Sequence, residues 1–203
     1  MVGDRVCLAL FPPPAILPYH LGMARPRRPR AKSAATNAAE LFLRLGAFVG
    51  FTDAEARLVR QSSPALLPHA QAVVDAVYDH LLSHPQTAPF FSDPAGQPDL
   101  QILAERKKSL GEWLAACLEV QPSSAFAAYT HRIGQAHARV GVPPEYLVGT
   151  MAFAQTAIAA LLAQALPARA IPTIQAWNKL LMLQLVIMLS SYTISTRRPG
   201  HKP

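Results

Sequence analysis

From Asn37 to Ser195 the apolar residues recur at three- and four-residue spacing, the signature of helices that each bury one face. Leu41, Phe42, Leu45 and Val49 share a stripe that Gly50 ends, which predicts a helix over Asn37–Val49. Thr52 followed by Glu55 is a capping-box pattern and opens a short helix through about Gln61. After Pro64, a helix over Ala65–Ser83 carries Leu66, Val73, Val74, Val77, Tyr78 and Leu81 on its apolar side. Pro85, Pro89, Pro94 and Pro98 then bracket a non-helical corner that contains Phe90 and Phe91. Asp99–Val120 reads as the next helix, with Leu103, Leu110, Leu114 and Cys117 or Leu118 along one stripe. Pro122 and Ser123 start another, which Gly141 ends; Pro143 and Pro144 open a helix to about Leu166. Pro167 and Pro172 are expected to break the chain before a last helix over Thr173–Ser195. Two-residue alternation rich in Val, Ile, Thr and Tyr is absent, so the fold class is all-α, with seven or eight helices and no internal repeat.

Composition supports one apolar core: 51% of the 203 residues are hydrophobic and 15% charged, which excludes a disordered chain. The net charge of +7 raises the question of nucleic-acid binding, and its distribution answers it. Arg5, Arg25, Arg27, Arg28, Arg30 and Lys32 outnumber Asp4 in residues 1–34, and Arg197, Arg198 and Lys202 lie in residues 197–203. The body between them is close to neutral, so no specific nucleic-acid partner is expected. Residues 1–34 read as a disordered, basic, Pro/Arg-rich leader, 35–196 as the folded domain and 197–203 as a basic tail; Met23 is an alternative start. Cys7 and Cys117 do not make a disulfide framework, and the apolar run Leu180–Ser191 suits a core helix better than a membrane span, with Lys179 and Gln184 in its wider window. The expected compartment is the cytoplasm.

Candidate chemistry rests on the histidines. His20 and His201 lie in the terminal segments, His69 and His80 near helix ends or on polar faces, and His84 precedes a proline. His131 and His137 share the helix Ser123–Val140. At 100° per residue its apolar stripe is Phe126, Tyr129, Ile133, Ala136 or His137, and Val140. His137 joins that stripe one turn beyond Ile133, whereas His131 lies about 120° away and is expected to face solvent or the rim. A lone inward histidine is usually a core residue bonded to a carbonyl, and imidazole is also the commonest metal ligand. Zinc would need three or four ligands, and no such set accompanies His137. A single axial histidine in an apolar pocket suits haem, whose porphyrin supplies four nitrogens. Periodicity leaves the core and haem readings both open.

The segment His131–Gly149 resembles the protoglobin and globin-coupled sensor family. The family's proximal-histidine region reads Ile-Gly/Ala-x-x-His-x-x-x-Gly-hydrophobic-x-Pro, matched here by Ile133, Gly134, His137, Gly141, Val142 and Pro144. Glu145-Tyr146 stands where the family often has Trp-Tyr. Val77-Tyr78-Asp79-His80, Phe90-Phe91-Ser92 and Arg106–Leu114 resemble its distal segments. The resemblance covers residues 37–196 and implies a globin-like fold with an extra N-terminal helix around a haem pocket. It implies haem b on His137, Tyr78 over the distal face and Phe91 at the haem-packing corner. Leu110 or Leu114 would lie over the iron, and Val77, Ile133 and Met151 along the pocket.

The implied function is reversible binding of O2, CO or NO as sensor or carrier. The alternatives are a haem-dependent redox enzyme acting on peroxide, nitrite or NO, and a haem-free helical regulatory or interaction module. With no output domain following residue 203, a stand-alone member is expected, with room for a separate signalling partner. A homodimer through the last two helices is the assembly the family implies.

Overall fold

The computed structural model describes residues 34–195. The expectations for the leader, for Met23, Cys7, His20 and His201, and for the basic tail lie outside the described residues. Within them, eight α-helices follow one another: α1 Ala34–Val49, α2 Asp53–Gln61, α3 Ser63–Leu66, α4 Ala70–Leu82, α5 Leu100–Leu118, α6 Ser124–Arg139, α7 Pro144–Ala165 and α8 Ala170–Ser195. Short 3-10 turns at Leu67–His69, Ala88–Phe91 and Pro167–Arg169 link them. No strand occurs among the described residues; a lone bridge between Ser92 and Pro98 closes the corner before α5.

Local chemistry sets the boundaries. Gly50 adopts φ 66° beyond α1, a conformation that a Cβ would oppose. The Thr52 side chain accepts from Ala54 N, while Glu55 accepts from the Thr52 N–H, so the capping box predicted for α2 is formed. Asp99 and Ser123 cap α5 and α6 by accepting from amides of the first turn.

α1 begins at Ala34, three residues ahead of the expected Asn37, and two further boundaries differ from expectation. The helix expected over Ala65–Ser83 is interrupted by the 3-10 turn at Leu67–His69, where Pro68 has no N–H to donate to a continuous helix. Pro172 does not precede the last helix but sits inside its first turn, because those amides have no intrahelical acceptor to lose.

α8 is the axis of the core: α6, α7, α1 and α2 all lie against it, while α4 contacts α5 and α7. Trp177, Leu180, Leu181, Gln184 and Ile187 of α8 are fully buried. The polar members of this interior are satisfied. The Trp113 Nε1–H donates to Gln184 Oε1 at 2.8 Å, the Gln184 amide donates to Cys117 Sγ at 3.2 Å, and the Trp177 Nε1–H donates to Ser62 Oγ at 2.9 Å. These bonds fix the registers of α5 and of the α2–α3 corner against α8. α7 is long and apolar enough to cross a membrane by length and composition; its Leu147, Met151, Ala154, Ile158 and Leu162 are buried in the fold.

Candidate functional site

The chemistry-bearing helix is α6, and its orientation comes from small residues. Ala127, Thr130, His131 and Gly134, spaced i, i+3, i+4 and i+7, are its buried residues. A Cβ at Gly134 would stand 2.4 Å from the Met188 carbonyl oxygen, so only glycine lets α6 and α8 approach this closely. The apolar stripe read from the sequence flanks this face rather than forming it. Phe126, Tyr129 and Ile133 are half-buried, and Ala136 and Val140 are exposed.

This rotation overturns the expectation for His131. It does not face solvent but is 4% exposed, with Nδ1 2.9 Å from Ser191 Oγ, which also lies 3.1 Å from the His131 carbonyl. The reason is that α6 buries its small and polar face, which hydrophobic periodicity does not register. His131 Nε2 is buried without a hydrogen-bond partner.

His137 lies on the flank of α6 and is half-buried. Its Nδ1 is 2.9 Å from the Ile133 carbonyl oxygen, one turn back. With Nδ1–H donating there, Nε2 carries the ring's lone pair, and no described residue hydrogen-bonds it. The end of the same helix is held by two crossed bonds, Val142 N to His137 O at 3.1 Å and Gly141 N to Ala138 O at 3.3 Å. This is a Schellman cap, and Gly141 takes the required left-handed backbone at φ 77°. Pro144 then begins α7 at a position where its missing N–H costs nothing. The Ile133 carbonyl and the cap at Gly141 therefore hold the ring and the helix end around His137, while Pro144 starts the next helix.

A second cluster forms around Tyr78 on α4. Tyr78, Val74 and Leu103 are buried together, with Leu81, Leu82, Phe91 and Leu110 packed against them. The Tyr78 and Phe91 rings meet edge to face with centroids 5.4 Å apart. Burial raises the Tyr78 phenol to about 12, with the Arg106 charge opposing the shift, so the hydroxyl remains a proton donor at neutral pH. No described residue hydrogen-bonds that hydroxyl.

The structure thus brings Tyr78, Phe91 and Leu110 together, while Leu114 belongs to the main core with Trp113 and Cys117. Met151 is buried in the main core, Ile133 packs on it, and Val77 is buried on α4. His80 near the end of α4 and His84 just beyond it, four residues apart, lie with ring centroids 4.4 Å apart, and His80 also stacks on Phe153. Among the described residues no group of three or more His, Cys, Asp or Glu side chains is placed to hold a metal ion. Arg106, which the sequence places on a solvated edge with Lys107 and Lys108, is exposed, and its charge acts on Tyr78.

A sandwich of helices around a long C-terminal axis is a globin-type fold. The protoglobin family model matches residues 38–198, and the chain belongs to that family. Among solved structures, it is similar to the globin domain of a Geobacter sulfurreducens globin-coupled sensor. That likeness has 25% identity and a TM-score of 0.66, and covers 74% of this chain and 96% of the other. It also shares the fold of the ferric globin domain of E. coli DosC, at 15% identity and a TM-score of 0.57, over 77% and 98% of the two chains. A comparison with curated proteins returns no match.

Proposed function

We propose that this protein is a haem b globin that reversibly binds a diatomic gas, O2, CO or NO, at an iron ligated by His137. The observation that carries the reading is the His137 ring itself, oriented through Nδ1 on the Ile133 carbonyl with Nε2 left to a ligand outside the protein. This is the arrangement by which metal-ligating histidines have their tautomer and ring direction fixed. Haem, when bound, supplies an iron with one coordination position for gas.

The chain's own residues do the rest. The Schellman cap at Gly141 and the close approach at Gly134 hold α6 as a rigid support for the ligand. Val77, Phe91, Leu110, Ile133 and Met151 would supply apolar walls, and exclusion of water by such walls slows oxidation of a ferrous centre. The Tyr78 hydroxyl, neutral at ordinary pH, would be the hydrogen-bond donor offered to a gas ligand held beside it.

The test is an absorption spectrum of haem-loaded wild type and His137→Ala, in the ferrous and CO-bound states. Wild type is expected to show a Soret band typical of histidine-ligated haem, which the variant loses or shifts. A variant with an unaltered five-coordinate ferrous spectrum removes His137 from the iron. A wild type that takes up no haem favours the helical regulatory module instead.

The proposed assembly is a homodimer through α7 and α8. Val148 is 42% exposed, Met182 38% and Val186 42%, so both helices present apolar side chains that a partner would cover. A gas-responsive dimer of this kind suits a sensor that acts on a separate signalling partner.

A further inference from the structure

We propose that Arg106 and the Tyr78 hydroxyl together form a distal site for small anionic ligands, compact monoanions such as azide or nitrite that bind ferric haem. The inference rests on the haem reading above and deepens it by naming a ligand class and a selectivity residue.

Three observations place Arg106. Leu103, Arg106 and Leu110 stand at i, i+3 and i+7 on α5, which sets them on one face of the helix. Leu103 and Leu110 both pack in the Tyr78 cluster, so the stem between them rises beside that phenol. The Arg106 charge also acts on Tyr78, favouring its ionised form against the stronger effect of burial.

Its neighbours are already engaged. Lys107 Nζ is 2.7 Å from Asp75 Oδ1, and Lys108 pairs more loosely with Glu112 at 3.9 Å. Arg106 makes no ion pair or hydrogen bond with a described residue. Its side chain is exposed, so a hydrated guanidinium on a flexible stem stands at the edge of an apolar cluster that contains no carboxylate.

The chemistry then favours an anion. A guanidinium carries five N–H donors and keeps its charge at every accessible pH. The Tyr78 phenol is neutral and donates as well. Two donors and one fixed positive charge beside apolar walls stabilise a bound monoanion, while a neutral gas gains only the hydrogen bond. Arg106 acts on selectivity between ligands, and His137 keeps the iron.

The experiment compares azide affinity of the ferric protein with CO affinity of the ferrous protein, in wild type, Arg106→Gln, Arg106→Lys and Lys107→Gln. The azide-to-CO affinity ratio is expected to fall about tenfold in Arg106→Gln, the scale of one partly hydrated charge pairing with another. Arg106→Lys should restore most of the ratio, and Lys107→Gln, which removes the same charge one residue away, should leave it within about twofold. Added salt should weaken azide binding in wild type more than in Arg106→Gln. A ratio unmoved in Arg106→Gln, or moved equally by Lys107→Gln, overturns the distal anion site while leaving haem binding intact. A wild type that takes up no haem overturns the underlying reading and this inference with it.

Discussion

Tyr78 and His131 show how differently two polar residues are used inside one apolar molecule. The Tyr78 hydroxyl has no hydrogen-bond partner among the described residues, yet burial among Val74, Leu103 and Phe91 keeps it protonated. On the proposed reading it serves bound gas, so Tyr78→Phe should raise the O2 dissociation rate roughly fivefold, the equivalent of one hydrogen bond worth about 1 kcal/mol. Stopped-flow displacement of O2 by CO checks this, and an unchanged rate would take the hydroxyl out of the ligand site. His131 is structural by contrast. Its bond to Ser191 ties α6 to the end of α8, and Ser191→Ala would leave a second ring nitrogen unpaired. A loss of about 1–3 kcal/mol is expected by urea unfolding, with the haem spectrum unchanged. A variant as stable as wild type would mean that the pair contributes nothing.

At the scale of elements, the α6–α8 contact decides most. Gly134 is required by space, because a methyl group there would overlap the Met188 backbone, which cannot turn aside as a side-chain tip could. Gly134→Ala should cost about 1–3 kcal/mol and also displace α6, so haem affinity should fall with stability. Thermal unfolding and haem transfer to an acceptor protein measure the two losses separately; a stable variant with full haem retention contradicts the packing account. The predicted helices were legible because their ends carry chemistry: Thr52 with Glu55, Ser123, Gly141, and Pro144 at a first turn. Pro172 misled because a proline signals a boundary without saying on which side of it the helix lies.

For the whole molecule, stability should fall at both ends of the pH range. Glu55 is held at about 2 by bonds from Thr52 and from Lys179, whose Nζ is 3.0 Å away. A carboxylate with a lowered pKa adds stability above its ordinary value of 4.5, and the contribution is lost as pH falls toward 2. Partial exposure keeps that effect modest, and Glu55→Gln should flatten the acid side of a Tm-against-pH curve. Burial raises the Cys117 thiol and the Tyr78 phenol to about 12. Their contribution is present below pH 9 and 10 respectively and is lost as pH rises toward 12, a fall that Cys117→Val should reduce. Association belongs to the same scale. If α7 and α8 form the proposed dimer, Val186→Lys should yield a monomer in sedimentation velocity without loss of helicity, and a dimer that persists would place the interface elsewhere.

The sequence by itself determined the all-α class, most helix boundaries and the family, because caps, prolines, glycines and apolar spacing act within one or two helical turns. It also marked His137, through a pattern in which Gly134 provides close approach, Gly141 a left-handed cap and Pro144 a helix start. Only the tertiary structure decided which way α6 is turned, that His131 is buried against Ser191, and that Leu110 and not Leu114 meets Tyr78. The physical reason is that a buried face made of Ala127, Thr130, His131 and Gly134 has almost no hydrophobic signature of its own. What buries it is the shape of α8, a property of two helices together that no single stretch of sequence carries.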